Sequence, residues 1–324
     1  MRCEIKGLDA IDCAAWDRHV LGTTGNPTQL SAYARTAEGS ALPAFLYIEE
    51  GDERIFQWLV FVSRKHSFCY ISALSEPSSD DAACFSIAMS TLQRHYKPFR
   101  FMFYDLALSR FSSRHLLEKQ GFSPIHVYEA NRVDLTQSEE LLFQGIHSKH
   151  RNSIRRAEKG DLSFFEGNTE MDVERYYALS EQTYERTRGN NIDRNVFMDA
   201  FKVLHRTRNI RFFFIAKEDD VQAAACLLAS PFEAIYWKGA TKTKEHPGSA
   251  NLLHWEIMKQ LKREGVQVYD FSGGPATYEP DSKVAGIIRF KQRFGGDVCT
   301  YYGGTRIYVP WKNALFELYQ KLRL

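Results

Sequence analysis

RFFFIAKEDDVQAAACLLASPFEAIYWKGA, residues 211–240, is the stretch on which the fold turns. It falls into three apolar runs, RFFFIAK (211–217), VQAAACLLA (221–229) and EAIYWKGA (233–240), separated by short polar or proline-bearing breaks. Runs of that length between turn formers read as three successive strands. Downstream, SANLLHWEIMKQLKREG (249–265) has helical spacing, with Ser249 as the expected N-cap and Gly265 as the stop. VQVYDF (266–271) reads as a strand, KVAGIIRFKQRF (283–294) as a helix and DVCTYYGG (297–304) as a strand. The order is β-β-β-α-β-α-β.

Moving upstream, the same order recurs. AFLYIE (44–49), RIFQWLVFV (54–62) and SFCYIS (67–72) are strands, 80–96 is a helix, FRFMFYDL (99–106) a strand, SSRHLLEKQGF (112–122) a helix and IHVYEANRVDL (125–135) a strand. The two final helices end alike, in EKQGF and KQRFGG. Agreement in order and length points to a duplicated α/β fold. Between the halves lies a helical stretch, 138–159, 170–186 and 194–206, led in by Thr136-Gln137-Ser138 and broken at Gly189 and Asn190-Asn191. A domain boundary is expected near 135–145. The segment WKNALFELYQKLRL (311–324) reads as a helix, with Leu315, Leu318 and Leu322 packing back on the first half.

Length agrees with two domains, because 324 residues exceed what one core usually serves. The composition is that of a soluble globular protein, and 42 basic against 40 acidic residues leave a net charge of +2. The chain is not a polyelectrolyte built to coat DNA, so any anion must meet a local patch. MRCEIKGLDAIDCAAWDRHV (1–20) lacks a signal-peptide core, and no apolar run is long enough to span a bilayer. At most a peripheral membrane contact is expected. Cysteines 3, 13, 69, 84, 226 and 299 are scattered and read as reduced thiols of a cytoplasmic protein. His147 and His150 form an H-x-x-H without carboxylate or cysteine companions, so it reads as a solvated helix face. No metal and no resident cofactor is expected.

Four pieces together resemble the FemAB family of peptidoglycan aminoacyltransferases, within the Gcn5-related N-acyltransferase superfamily. They are N-P-T-Q-L-S-A-Y (26–33), K-H-R-N-S-I-R-R-A-E-K-G (149–160), the region from Y-W-K-G-A-T to V-Y-D-F-S-G-G (236–274), and R-F-K-Q-R-F-G-G (289–296). The resemblance implies two tandem acyltransferase-like domains, each a mixed, mainly antiparallel sheet with flanking helices. The first would cover 1–140 and be completed by 306–324; the second would cover 141–305. It also implies transfer of an aminoacyl group to an amine of a cell-wall precursor, with Lys291 and Asp270 in the chemistry. Substrate contacts are expected from Lys149, Arg151, Arg155, Arg188, Trp237, Lys238, Gly248, Ser249, Asn251, Phe290 and Gly295. One departure concerns the acceptor. Family members that bind nucleotide-linked precursors tend to carry a lysine soon after the early aromatic residue, where this chain has Ala34, Arg35, Thr36 and Ala37.

Acyl transfer needs a neutral amine, a held carbonyl and a donor aimed at the developing oxyanion. Lys291, beside Gly295 and Gly296, either supplies that charge while the glycines bring backbone close, or sits incidentally at a helix stop. Asp270 either orients the amine and takes its proton or caps the loop after its strand. His254 and Glu256 read as helix-surface or packing residues. No Ser-His-Asp or Cys-His spacing is present, which favours direct transfer. Lys149, Arg151, Arg155, Arg156 and Lys159 crowd one helix, either to meet a phosphate-bearing substrate or tRNA or as a solvated face. Donor identity rests on E-H-P-G-S-A (245–250), where coenzyme A users place a cation or amide and free N–H groups. Glu245 and Pro247 oppose a pyrophosphate there unless Lys242 or Lys244 compensates, which favours aminoacyl-tRNA as donor; the alternatives are an acyl-CoA- or acyl-carrier-protein-dependent N-acyltransferase of the same fold and a non-catalytic tRNA- or precursor-binding protein.

Overall fold

The computed structural model describes residues 1–324 except 38–40, 66, 104–107, 188–192 and 323–324. The chain runs β1 (Arg2–Lys6), α1 (Cys13–Gly22), α2 (Ser31–Ala34), β2 (Leu42–Glu50), β3 (Glu53–Lys65), β4 (Phe68–Ala73), α3 (Ala82–Tyr96), β5 (Arg100–Phe103), α4 (Arg114–Lys119) and β6 (Ile125–Asp134). After α5 (Glu139–Gly145) and α6 (Ser148–Ala157) the same plan repeats: β7 (Leu162–Gly167), α7 (Glu170–Thr187), α8 (Arg194–Leu204), β8 (Ile210–Lys217), β9 (Asp220–Ala229), β10 (Glu233–Thr241), α9 (Ser249–Arg263), β11 (Val268–Pro275), α10 (Lys283–Gln292) and β12 (Asp297–Ile307). Helix α11 (Pro310–Leu322) follows. Two compact units result, Met1–Glu129 with Gly273–Thr277 and Thr300–Leu324, and Ala130–Ser272 with Tyr278–Cys299.

In the first unit the strands lie in the order β1-β2-β3-β4-β5-β12. Neighbours are antiparallel except β4 and β5, which are parallel and therefore need the α3 crossover between them. Alternation on β3 sends Phe56, Trp58, Val60 and Val62 to the α3 side, where Phe85, Ala88, Met89 and Leu92 meet them. Trp58 lies within 5.2–5.6 Å of the Phe85, Phe101 and Phe103 rings. The stretch N-P-T-Q is buried and structural. Gln29 Oε1 accepts from Leu59 N–H (2.7 Å) and Gln29 Nε2 donates to Leu59 O (3.2 Å), so one side chain takes the place of a strand partner.

The second unit has the order β6-β11-β10-β9-β8-β7, with β10 and β11 parallel around the α9 crossover. Its core joins Leu252, Leu253, Ile257, Met258 and Leu261 of α9 to Phe213, Ile215, Ala223, Ala225 and Leu227 of the sheet. Ile154 and Ala157 of α6 extend it.

Several local expectations change. The stretch 138–159 is two helices, because the chain turns extended at Ile146 (ψ 134) before His147 caps α6. Strands β1 and β7 were not anticipated. Gly248, at φ 90, rather than Ser249 caps α9, since a Cβ there would stand 2.5 Å from Ser153 O. Of FRFMFYDL, Arg100–Phe103 is strand and 104–106 lie outside the described residues. Helix α11 packs through Asn313 and Phe316, whose ring meets those of Phe68, Tyr70 and Phe99 at 5.3–5.4 Å. Leu315, Leu318 and Leu322, expected to pack, stand 49%, 53% and 79% exposed.

Candidate active site

Within the second unit, the pairing of β10 with β9 shifts register between Tyr236 and Lys238, so Trp237 is an extra residue and the strand bends there. The Tyr236 ring folds over Gly239. A Cβ on Gly239 would stand 1.6 Å from Tyr236 Oη, so this ring position demands glycine. Ser282 Oγ accepts from Ala285 N–H (3.1 Å) and starts α10, along which Lys283, Gly286, Ile287, Phe290 and Lys291 recur at three- and four-residue steps. That face, the bulged segment Tyr236–Gly239, and Thr183 and Tyr184 of α7 enclose a cavity of about 610 Å³. Thr183 ties α7 to the end of β10, donating to Thr241 O (2.9 Å) and accepting from Thr241 N–H (3.0 Å).

Lys291 is one of the cations on the cavity wall, with Lys238 and Lys283. Its Nζ donates to Ser272 Oγ (3.1 Å) and Ser272 O (3.3 Å) and lies 5.7 Å from the Tyr236 ring centre. Ser272 has a left-handed backbone (φ 54), uncommon for a residue with a side chain and often found near functional sites. The Asp270 carboxylate accepts the Ser272 N–H at 2.6 Å and holds that conformation. Asp270 is fully buried, 3.4 Å from Arg132 Nε, and Arg132 also donates to buried Glu233 (2.8 Å). Asn131 Nδ2 donates to the carbonyls of Lys291 (3.4 Å) and Gly295. Behind Tyr236, His254 is buried with Nδ1 2.8 Å from Tyr269 Oη. Burial first, then the charge of Lys291, pushes its pKa down to about 3, so it packs as a neutral ring.

Trp237, Lys238, Phe290 and Lys291 thus meet in one cavity, and the other anticipated residues lie elsewhere. Asp270 is not among the residues that line the cavity; its carboxylate accepts the Ser272 N–H within β11. Gly295 and Gly296 (φ 83 and 82) end α10 against backbone rather than against an open site. A Cβ on them would meet Gly145 O at 2.9 Å and Arg132 O at 2.1 Å. Arg151 donates to Gln144 O (2.8 Å) and Ile146 O, closing the end of α5, and Arg155 stacks over Phe143 at 5.2 Å. Lys149 is exposed on α6. Gly248, Ser249 and Asn251 form the start of α9, where Ser249 N–H and Oγ both donate to His246 O (3.0 and 2.7 Å). Glu245, in the same loop, is lifted by burial to about 7 against the pull of Arg186. Arg188 lies outside the described residues. Sequence reasoning missed Tyr236, Thr183, Tyr184 and Ser272. Tyr236 directly precedes the W-K-G run, which was the available signal for it.

Comparisons with known proteins bear on the fold. Residues 146–279 match the acetyltransferase (GNAT) domain family. Over 102 residues the chain is 24% identical to the aminoacyltransferase FemA of Staphylococcus epidermidis and 26% identical to that of Staphylococcus aureus. Each match spans 31% of this chain and 24% of the relative, about a quarter of its length. Among solved structures, FemX matches with a TM-score of 0.78 at 13% identity, over 98% of this chain and 99% of that one. The L-PGS of Bacillus licheniformis gives 0.57 at 12% identity (91% and 92% covered). A tandem GNAT protein from the clavulanic acid biosynthesis pathway gives 0.53 at 12% (94% and 98% covered). The chain therefore has the tandem GNAT fold over its whole length and is a distant relative of FemA over part of it.

Proposed function

We propose that this chain, a tandem GNAT-fold protein distantly related to FemA, is an acyltransferase. In this reading it moves an aminoacyl group from aminoacyl-tRNA to an amine of a cell-envelope precursor in the cytoplasm. The single observation that carries the reading is the ammonium of Lys291, fixed by two bonds to Ser272 at the wall of an aromatic cavity. The neutral amine adds to the ester carbonyl carbon, and the charge that collects on the carbonyl oxygen is offset by Lys291. Collapse breaks the ester C–O bond, releases the ribose hydroxyl of the tRNA and forms the amide. The proton lost by the amine leaves to water or to the departing oxygen. No covalent enzyme intermediate is needed.

Trp237, Tyr236 and Phe290 hold the acyl group, and Asp270 acts as a positioning residue through Ser272. Lys149 and Arg155 face the phosphates of tRNA or of the precursor. The α9 loop supports aminoacyl-tRNA over a coenzyme A thioester. Pro247 has no N–H, and the N–H of Ser249 is spent on His246 O, which weakens a pyrophosphate cradle. A second reading, acyl-CoA as donor, draws support from Glu245, which at about 7 is half neutral near physiological pH and opposes an anion less than a full carboxylate would.

The test pairs two donors, bulk tRNA charged with labelled amino acids and acetyl-CoA, with nucleotide- and lipid-linked muropeptides, read by mass spectrometry of the product. Transfer from tRNA is expected. Lys291→Ala should then lower turnover by about 100–1,000-fold with little change in KM, and Lys291→Arg should rescue poorly because a planar fork cannot place a compact charge at the same point. Near-normal turnover in folded Lys291→Ala overturns the role of the lysine. Transfer from acetyl-CoA alone overturns the donor.

A further inference from the structure

Helix α11 of the first unit carries two apolar faces, and only one is used. At 100° per residue, Asn313 and Phe316 point toward the sheet, and Phe316 is buried among Phe68, Tyr70 and Phe99. Trp311, Leu315, Leu318 and Leu322, at steps of four, three and four, form a stripe on the opposite side, 65%, 49%, 53% and 79% exposed. Isolated exposed leucines need no explanation, but an unbroken stripe along a 13-residue helix does.

Charge identifies what the stripe meets. Lys312 and Lys321 flank it, one on each side, and Lys312 Nζ reaches over the Trp311 ring at 5.5 Å. Lys65 Nζ sits over the Tyr319 ring at 5.3 Å, beside the same helix. Arg64 and Lys312 both act on the Cys69 thiol, so their charges share one neighbourhood. Glu317, the acid of this helix, accepts from Asn313 Nδ2 (2.9 Å) on the packed side, and its charge is felt by Arg100. A tryptophan and three leucines between lysines is the pattern of a helix that lies in a lipid headgroup layer. A second copy of the chain fits less well, because Lys312 and Lys321 flank the stripe and pairing two copies through it would bring like charges together.

We infer that the exposed face of α11 docks the protein peripherally on an anionic lipid surface. The stripe enters the headgroup layer while Lys312, Lys321 and Lys65 meet lipid phosphates. This inference does not depend on the acyl-transfer reading, since it concerns neither Lys291 nor its cavity.

Co-sedimentation of the full chain with vesicles of phosphatidylcholine, and of phosphatidylcholine mixed with phosphatidylglycerol, tests it. Binding is expected to the mixed vesicles and to fall as salt rises. Lys312→Glu with Lys321→Glu should weaken it by at least about five-fold per lysine, and Leu315→Glu with Leu318→Glu should reduce it by about 100-fold or more. Leu315, Leu318 and Lys321 are exposed and Lys312 is only partly covered, so thermal unfolding should stay close to that of the parent. Absence of binding to the mixed vesicles overturns the inference, as does equal binding by parent and variants. A concentration-dependent dimer abolished by the leucine changes, without vesicle binding, would make the stripe a seam between copies and overturn it as well.

Discussion

Asp270→Asn separates a carboxylate that takes a proton from one that holds a turn. The substitution keeps the side-chain shape and an oxygen for the Ser272 N–H, now 2.6 Å from the carboxylate. It removes the negative charge that Arg132 Nε meets at 3.4 Å, while Glu233 still accepts from Arg132 at 2.8 Å. A hydrogen bond to a charged group contributes about 1.5–3 kcal/mol and a neutral one about 0.5–1.5, so the loss should be about 1–2 kcal/mol. Relief of repulsion between Glu233 and Asp270 offsets part of it. Asp270→Ala also strands the Ser272 N–H and should cost about 3–5 kcal/mol. At about 2–4 °C per kcal/mol for domains of this size, differential scanning calorimetry resolves the two. Because Ser272 fixes Lys291, turnover should fall by about ten-fold for Asn and further for Ala, with the acid limb of the pH–rate profile unmoved. Unchanged melting of Asp270→Asn with turnover abolished and that limb lost would refute the argument and make Asp270 the proton acceptor.

Three further outcomes are expected. Gly239→Ala should displace the Tyr236 ring, cost about 1–3 kcal/mol and lower turnover together with stability; a crystal structure with the ring unmoved would count against it. Urea unfolding across pH should show two opposed trends. His254 and His150, held at about 3 and about 4 chiefly by burial, bind protons more readily when unfolded, so stability is lost as pH falls below 6.5. Glu245, raised to about 7 by burial, binds its proton more readily when folded, so its contribution declines as pH rises from 4.5 through 7. Glu245→Gln should therefore stabilise the protein at pH 8 and change little at pH 4.5. On α6, Arg151→Ala should lower stability by about 1 kcal/mol, because its guanidinium closes α5. Lys149→Ala with Arg156→Ala should leave melting intact and flatten the salt dependence of tRNA binding. Unaltered affinity across a salt series would show that this face is only solvated.

The sheet strands were legible because RFFFIAK or RIFQWLVFV can only be buried, whichever partner covers them. The edge strands β1 and β7 were not. RCEIK and LSFFEG are partly exposed along most of their length, so neither carries an apolar run nor a clean alternation. Periodicity found the α11 leucines but could not say which side faces protein. The decision rests on Phe316 meeting three rings from distant strands. Lys291 was legible from its place before F-G-G. What its neighbours do was not, because contacts such as Gly296 to Arg132 O or Gly248 to Ser153 O join residues that the sequence separates widely. Asp270 could be read either as acid–base group or as loop cap, because its burial and its bond to the Ser272 N–H within β11 are set by the fold and not by the local sequence.

The exchange of final strands bears on how the polypeptide is made. Each half of the repeat hands part of its last strand to the other unit: β6 supplies Ala130–Asp134 to the second, and β12 supplies Thr300–Ile307 to the first, where Thr305 pairs with Met102. On the ribosome, residues 1–129 emerge early but lack the strand that covers β5 and the Phe316 ring that seals Phe68, Tyr70 and Phe99. That nascent segment carries an open sheet edge and bare aromatic surface until residues 300–316 are made, the condition in which unfinished chains aggregate or recruit chaperones. Residues 1–129 are therefore completed only by residues 300–316, and a stop anywhere before residue 300 would strand them unfinished.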